Sequence, residues 1–237
     1  MPDPGANQQL TIERRLAALR RRLVREATLA IEMLERALDA LQRMDTQQAR
    51  DVRREDDRVD REEVAIEAEC FEVLTLFHPF AKDFRRLTFI LKVNADIERA
   101  ADHAASVAKI VVKLSEALPP GSVHPPLPTA LVELSQRVPI TCHRLLRAVL
   151  DENEEAARDI MVQDDLIDKL ERQLFREVLD YMAAGPQYHA AGLLLSRCGR
   201  ELERVGDLMC NVAEDVVYLS SGQIIRHEGK PRSQAPR

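Results

Sequence analysis

The chain has 237 residues, of which 45% are hydrophobic, 31% charged and only 4% aromatic, with 8 Gly and no Trp. Ala, Leu, Arg and Glu dominate, and such side chains lose little rotamer freedom in a helix, so an all-α protein with a sizeable core is expected. A net charge of −6 with few aromatics argues against a nonspecific nucleic-acid binder, which needs a basic surface to displace counterions.

Residues 1–9 are polar and are expected to be disordered. A helix is predicted over 10–43, where Ile12, Leu16, Leu19, Leu23, Ala27, Ala30, Leu34, Leu38 and Leu41 recur at three- and four-residue steps. Its arginines (Arg14, Arg15, Arg20, Arg21, Arg22 and Arg25) read as a solvated outer face, with attraction to an anionic leaflet the lesser alternative. They also interrupt the first apolar stretch, so no signal peptide is expected there. Asp45 is a good N-cap for a helix over 46–77, and His78-Pro79 turns the chain into a helix over 80–116. Segment 118–128, LPPGSVHPPLP, holds five of the twelve prolines and reads as a linker. Helices follow over 128–151, over 154–184 with Asn153 as N-cap, and after Gly185-Pro186 over 187–220. Residues 223–237 read as a flexible tail. No apolar run approaches the ~20 residues that span a bilayer, so any membrane role would be peripheral. Cys70, Cys142, Cys198 and Cys210 are widely spaced and read as core residues in a reducing, cytoplasmic compartment.

The two halves repeat each other. Ala49, Arg50, Asp51, Val52, Asp56, Asp57 and Asp60 fall on Ala157, Arg158, Asp159, Ile160, Asp164, Asp165 and Asp168 at one offset. Glu98, Arg99 and Asp102 fall on Glu203, Arg204 and Asp207 at an offset shorter by three residues. The chain is therefore expected to form two tandem, pseudo-symmetric three-helix bundles, over 10–117 and 129–222, from six long antiparallel helices.

Four acidic pairs occupy equivalent positions in the copies: Asp56/Asp60, Glu98/Asp102, Asp164/Asp168 and Glu203/Asp207. Residues four apart share a helix face, and like charges there cost about 0.2–0.5 kcal/mol, so a proton, an Arg or a cation must offset them. Two readings stand: carboxylate ligands for Fe, Zn, Mn or Mg, or an acidic face balanced by arginines such as Arg99 and Arg204. His103, next to Asp102, reads as part of a polar helix face, with a metal ligand or a group supporting one the lesser alternative. A ferritin-like metal-storage or redox bundle is the alternative, but no His has a Glu three residues before it. There is no Gly-rich phosphate loop, no GxSxG and no Cys or Ser beside a base, so an enzyme is not expected.

Together these features resemble the PhoU family over roughly residues 10–227. The resemblance is carried by Pro79, Ala81, Asp83-Phe84-Arg85 and Glu98-Arg99-Ala100-Ala101-Asp102 in the first half. In the second it is carried by Glu203-Arg204-Val205-Gly206-Asp207, Asn211, Ala213, Glu214 and Tyr218-Leu219-Ser220-Ser221-Gly222. The chain departs from the family pattern at Ala100-Ala101 and Phe84, and its second half has no D-L-R segment. The resemblance implies two three-helix bundles, with [DE]xxxD motifs that hold metal clusters in some members. It implies a negative regulator of the phosphate-starvation response, linking a phosphate ABC transporter ATPase to a sensor histidine kinase. A homodimer is the expected assembly.

Overall fold

A computed structural model describes residues 4–117 and 126–225, with side chains from Gln8 onward. Among these residues the chain forms six helices: α1 Pro4–Arg43, α2 Thr46–Phe77, α3 Ala81–Ala117, α4 Thr129–Asp151, α5 Glu154–Ala183 and α6 His189–Ser221. A 3-10 turn, Pro186–Tyr188, precedes α6.

The apolar stripe of α1 is buried from Ile12 to Leu41, as its three- and four-residue steps require. The helix begins at Pro4, six residues before the expected start. Its first turns are tied to the far end of the bundle, where Gln8 Nε2 donates to Phe77 O (3.4 Å) and Gln9 Nε2 to Asp83 Oδ2 (2.9 Å). Asp45 caps α2 as expected: its Oδ1 accepts from the backbone N–H of Gln47 and Gln48, both at 2.9 Å. Asn153 caps α5 in the same way, accepting from Ala156 N at 3.0 Å. His78, Glu152 and Gly222 end α2, α4 and α6 in the left-handed conformation. Most of the 118–128 segment lies outside the described residues; Pro126 to Pro128 lead directly into α4. Ile225 is 4% exposed and packs with the core, two residues past the expected start of the tail; residues 226–237 lie outside the described part.

Helices α1, α2 and α3 pack on one another, as do α4, α5 and α6, giving two three-helix bundles. Extensive packing of α3 against α6, with a lesser contact between α1 and α4, joins them. The molecule is thus two rows of helices: α2, α3, α6 and α5 side by side, and α1 with α4 behind them.

Small residues set the spacing in the second bundle. A Cβ at Gly199 would lie 2.1 Å from Leu174 Cδ2, so any larger residue would have to displace that buried leucine. The arginines of α1 do more than face solvent. Arg15 pairs with Glu72 (2.9 Å), and Arg22 bridges Glu62 (2.8 Å) and Glu69 (2.7 Å), so both bind α1 to α2. Arg20 crosses between the bundles and donates to the last carbonyls of α4, Val149 O (3.2 Å) and Leu150 O (2.5 Å).

Candidate functional site: an acidic row across both bundles

Because α2 runs antiparallel to α3, the Asp56/Asp60 pair comes to the level of Glu98/Asp102. Burial raises the Asp56 carboxyl to about 6, with the charges of Asp102, Asp60 and Asp57 pushing the same way. Glu98 is raised for the same reason, burial first and then Asp102, Asp60, Glu63 and Asp56. Asp56 and Glu98 thus each feel the charges of Asp60 and Asp102. Asp56 Oδ1 is buried and accepts no hydrogen bond.

The second half repeats the arrangement between α5 and α6. Glu203 is raised by burial, then by Asp207, Asp168 and Glu171. Asp164 packs against α6 at Gly206, where a Cβ would stand 3.3 Å from Asp164 Oδ1. Asp102 and Asp207 also line a common cleft of about 580 Å³ between α3 and α6, with Arg99, His103, Arg204 and Asn211. The repeat relates the two halves of the row, which face one another across the cleft that Asp102 and Asp207 line.

Arg99 pairs with Asp96 (3.5 Å) and Arg204 with Glu201 (4.0 Å), one turn back along their own helices. Charge and the orphaned Asp56 oxygen suit a hard cation. Among the described residues, however, no group of three or more His, Cys, Asp or Glu side chains is placed to hold a metal ion. No ligand set therefore follows from the geometry. In metal-free buffer at pH 7.5, Asp56→Asn should stabilise the fold by about 1–2 kcal/mol, because it removes a half-buried charge, one oxygen of which accepts no hydrogen bond, and its repulsion of Asp102. Thermal melts check this, and a lower midpoint in the variant would refute the repulsion.

Three polar features between α3 and the α6 end of the second half escape sequence reading. His103 Nδ1 lies 2.8 Å from Glu201 Oε2, joining α3 to α6 and holding the Glu201 carboxyl below its ordinary range. Lys92 Nζ lies 2.8 Å from Asp215 Oδ1 and 5.3 Å from the centre of the Tyr218 ring, again across the α3/α6 seam. Arg85 stands at the end of α6, where a Cβ on Gly222 would be 2.6 Å from its Nη1. Arg85 of the Asp-Phe-Arg segment in the first half thus meets the Tyr218–Gly222 segment of the second.

Glu26 is the fourth omission. It is 2% exposed, and neither carboxylate oxygen has a hydrogen-bond partner. Its sequence signal is position: it falls three residues after Leu23 and four before Ala30, on the core stripe of α1.

Comparison with known proteins agrees with the repeat. A family description, "PhoU domain", matches residues 23–111 and 131–216. The chain is similar to a "Phosphate-specific transport system accessory protein PhoU homolog" of Deinococcus radiodurans, with 37% identity over 73% of this chain and 78% of that one. A homologue of the same description from Aquifex aeolicus is 30% identical over 90% of this chain and 94% of its own. Among solved structures, PhoU from Pseudomonas aeruginosa superposes with a TM-score of 0.83 at 28% identity, covering 89% of this chain and 99% of that one.

Proposed function

The chain belongs to the PhoU domain family, and from that premise we propose that it represses the phosphate-starvation response by bridging a phosphate ABC transporter ATPase and a sensor histidine kinase. That it is a regulator of phosphate transport is the coarser statement, supported by relatives described as accessory proteins of the phosphate-specific transport system. The bridging role rests on the form of the molecule. Its two bundles are joined by the packing of α3 against α6, and none of its described helices is long and apolar enough to cross a membrane. Such a body reaches membrane proteins only by docking. Two bundles carrying the same motif give it two related surfaces with which to do so.

The observation that carries this reading is the register-matched acidic row across both halves. The same row carries the proposal that a cation binds there, offsetting the repulsion that raises Asp56 and Glu98. Manganese should then raise the melting midpoint of the wild type more than that of Asp56→Asn/Asp102→Asn. Equal shifts would remove the cation from the reading.

Deleting the gene should release a phosphate-repressed reporter in rich phosphate by tenfold or more, and the intact gene should restore repression. Continued full repression in the deletion strain, with no second gene of the family present, would overturn the regulatory role.

A further inference from the structure

A groove of about 730 Å³ runs along α1 on the α1/α4 side of the molecule, closed by the start of α3 and the end of α4. Its floor is apolar and firmly built: Leu16, Phe89 and Ile90 are each no more than 5% exposed. Four arginines, Arg20, Arg21, Arg25 and Arg86, stand along it against two carboxylates, Glu13 and Glu152. Arg20 and Glu152 are engaged with each other at 3.4 Å, and Arg20 also holds the end of α4. Arg86 pairs with Asp83 at 3.7 Å, so the remaining lining is two guanidiniums, Arg21 and Arg25, against one carboxylate, Glu13, in a chain whose net charge is −6.

We propose that this groove receives an acidic amphipathic helix of a partner protein, and so names the docking surface of the adaptor role above, on which it rests. Charge selects the sign of the occupant, because an apolar floor flanked by guanidiniums is complementary to an apolar stripe flanked by Asp and Glu. Length selects its form. The groove follows α1 from Glu13 to Arg25, about 18 Å at 1.5 Å per residue, which is three turns of helix. The chain's own outlying segments do not match. Residues 226–237 carry Arg226, Lys230, Arg232 and Arg237 against Glu228 alone, and residues 118–125 contain no carboxylate. A flat anionic membrane meets the recessed floor poorly, whereas a helix fills it.

The test places a photo-reactive residue at Ala17, on the groove wall, in the full chain expressed in its own cells, with the same residue at Lys109 as control. The expected adduct is a protein segment of net negative charge with apolar residues at three- and four-residue steps, at tenfold or more the control yield. Arg21→Glu/Arg25→Glu should lower that yield at least tenfold. Arg21→Gln/Arg25→Gln, which leaves no new charge to disturb folding, should lower it severalfold with an unchanged melting midpoint. A yield no higher than the control overturns the proposal. So does an adduct with lipid, with a second copy of this chain, or with a segment lacking the acidic apolar pattern, and so does indifference to both double variants. A released reporter on gene deletion combined with any of these results would leave the regulatory role standing and remove only the groove.

Discussion

Glu26→Gln should make the protein more stable at pH 8.5. Glu26 is almost fully buried with two unpartnered oxygens, and its carboxyl is raised to about 8 by burial and then by the charges of Glu62, Glu63 and Glu98. Arg22 pulls the other way, but it is already shared between Glu62 and Glu69. The unfolded chain releases this proton near 4.5, while the folded protein keeps it to about 8. The folded state therefore binds the extra proton throughout that window. The stabilisation this gives is fully present below about pH 4.5, falls as pH rises to 8, and is gone above it. The span corresponds to a loss on the order of 3–5 kcal/mol. Gln carries no charge to bury, so the variant should gain about 2–4 kcal/mol at pH 8.5, a rise in melting midpoint of roughly 5–10 °C. At pH 5 the two proteins should agree within about 1 kcal/mol, since Glu26 is then neutral. Melts across pH 5–9 decide it: parallel curves for the two proteins would mean that Glu26 is not held protonated.

Lys92→Ala should have the opposite sign. The Asp215 side chain is 6% exposed beside Lys92, and the lysine also covers the Tyr218 ring. Removing the cation takes away the buried carboxylate's ion pair with Lys92, which costs more than an exposed pair is worth. A loss of about 2–4 kcal/mol is expected in urea unfolding, with most of it recovered in Lys92→Arg. The pair lies on the α3/α6 seam, so the transition should also broaden as the two bundles begin to unfold separately. A midpoint unchanged within about 0.5 kcal/mol, with unchanged steepness, would show that the Lys92–Asp215 pair does not hold the seam.

Much of this molecule is legible in the chain as written. The steps from Ile12 to Leu41 mark a helix face because 3.6 residues per turn leave no other regular arrangement for them. Asp45 and Asn153 mark helix starts because a short side-chain acceptor satisfies N–H groups that a first turn leaves bare, and both caps are formed. Internal repetition gives the two bundles, since equivalent sequences bury equivalent stripes. It also gives the pairing of Asp56/Asp60 with Glu98/Asp102 and of Asp164/Asp168 with Glu203/Asp207, because adjacent antiparallel helices align in inverse register about their turn.

The tertiary structure decided what crosses between the halves. Nothing local requires His103 to meet Glu201, Lys92 to meet Asp215, or Arg85 to meet the end of α6; these contacts exist only once α3 lies against α6. The arginines of α1 look alike in sequence, yet Arg22 binds α2 and Arg20 binds α4, while Arg21 and Arg25 line a groove. Periodicity fixes the direction in which a side chain leaves its helix. What stands in that direction, water or another helix, depends on packing between segments distant in the chain, and so the sequence alone determined the helices and their faces while the association of the two bundles determined the seam, the groove and the burial of each charge.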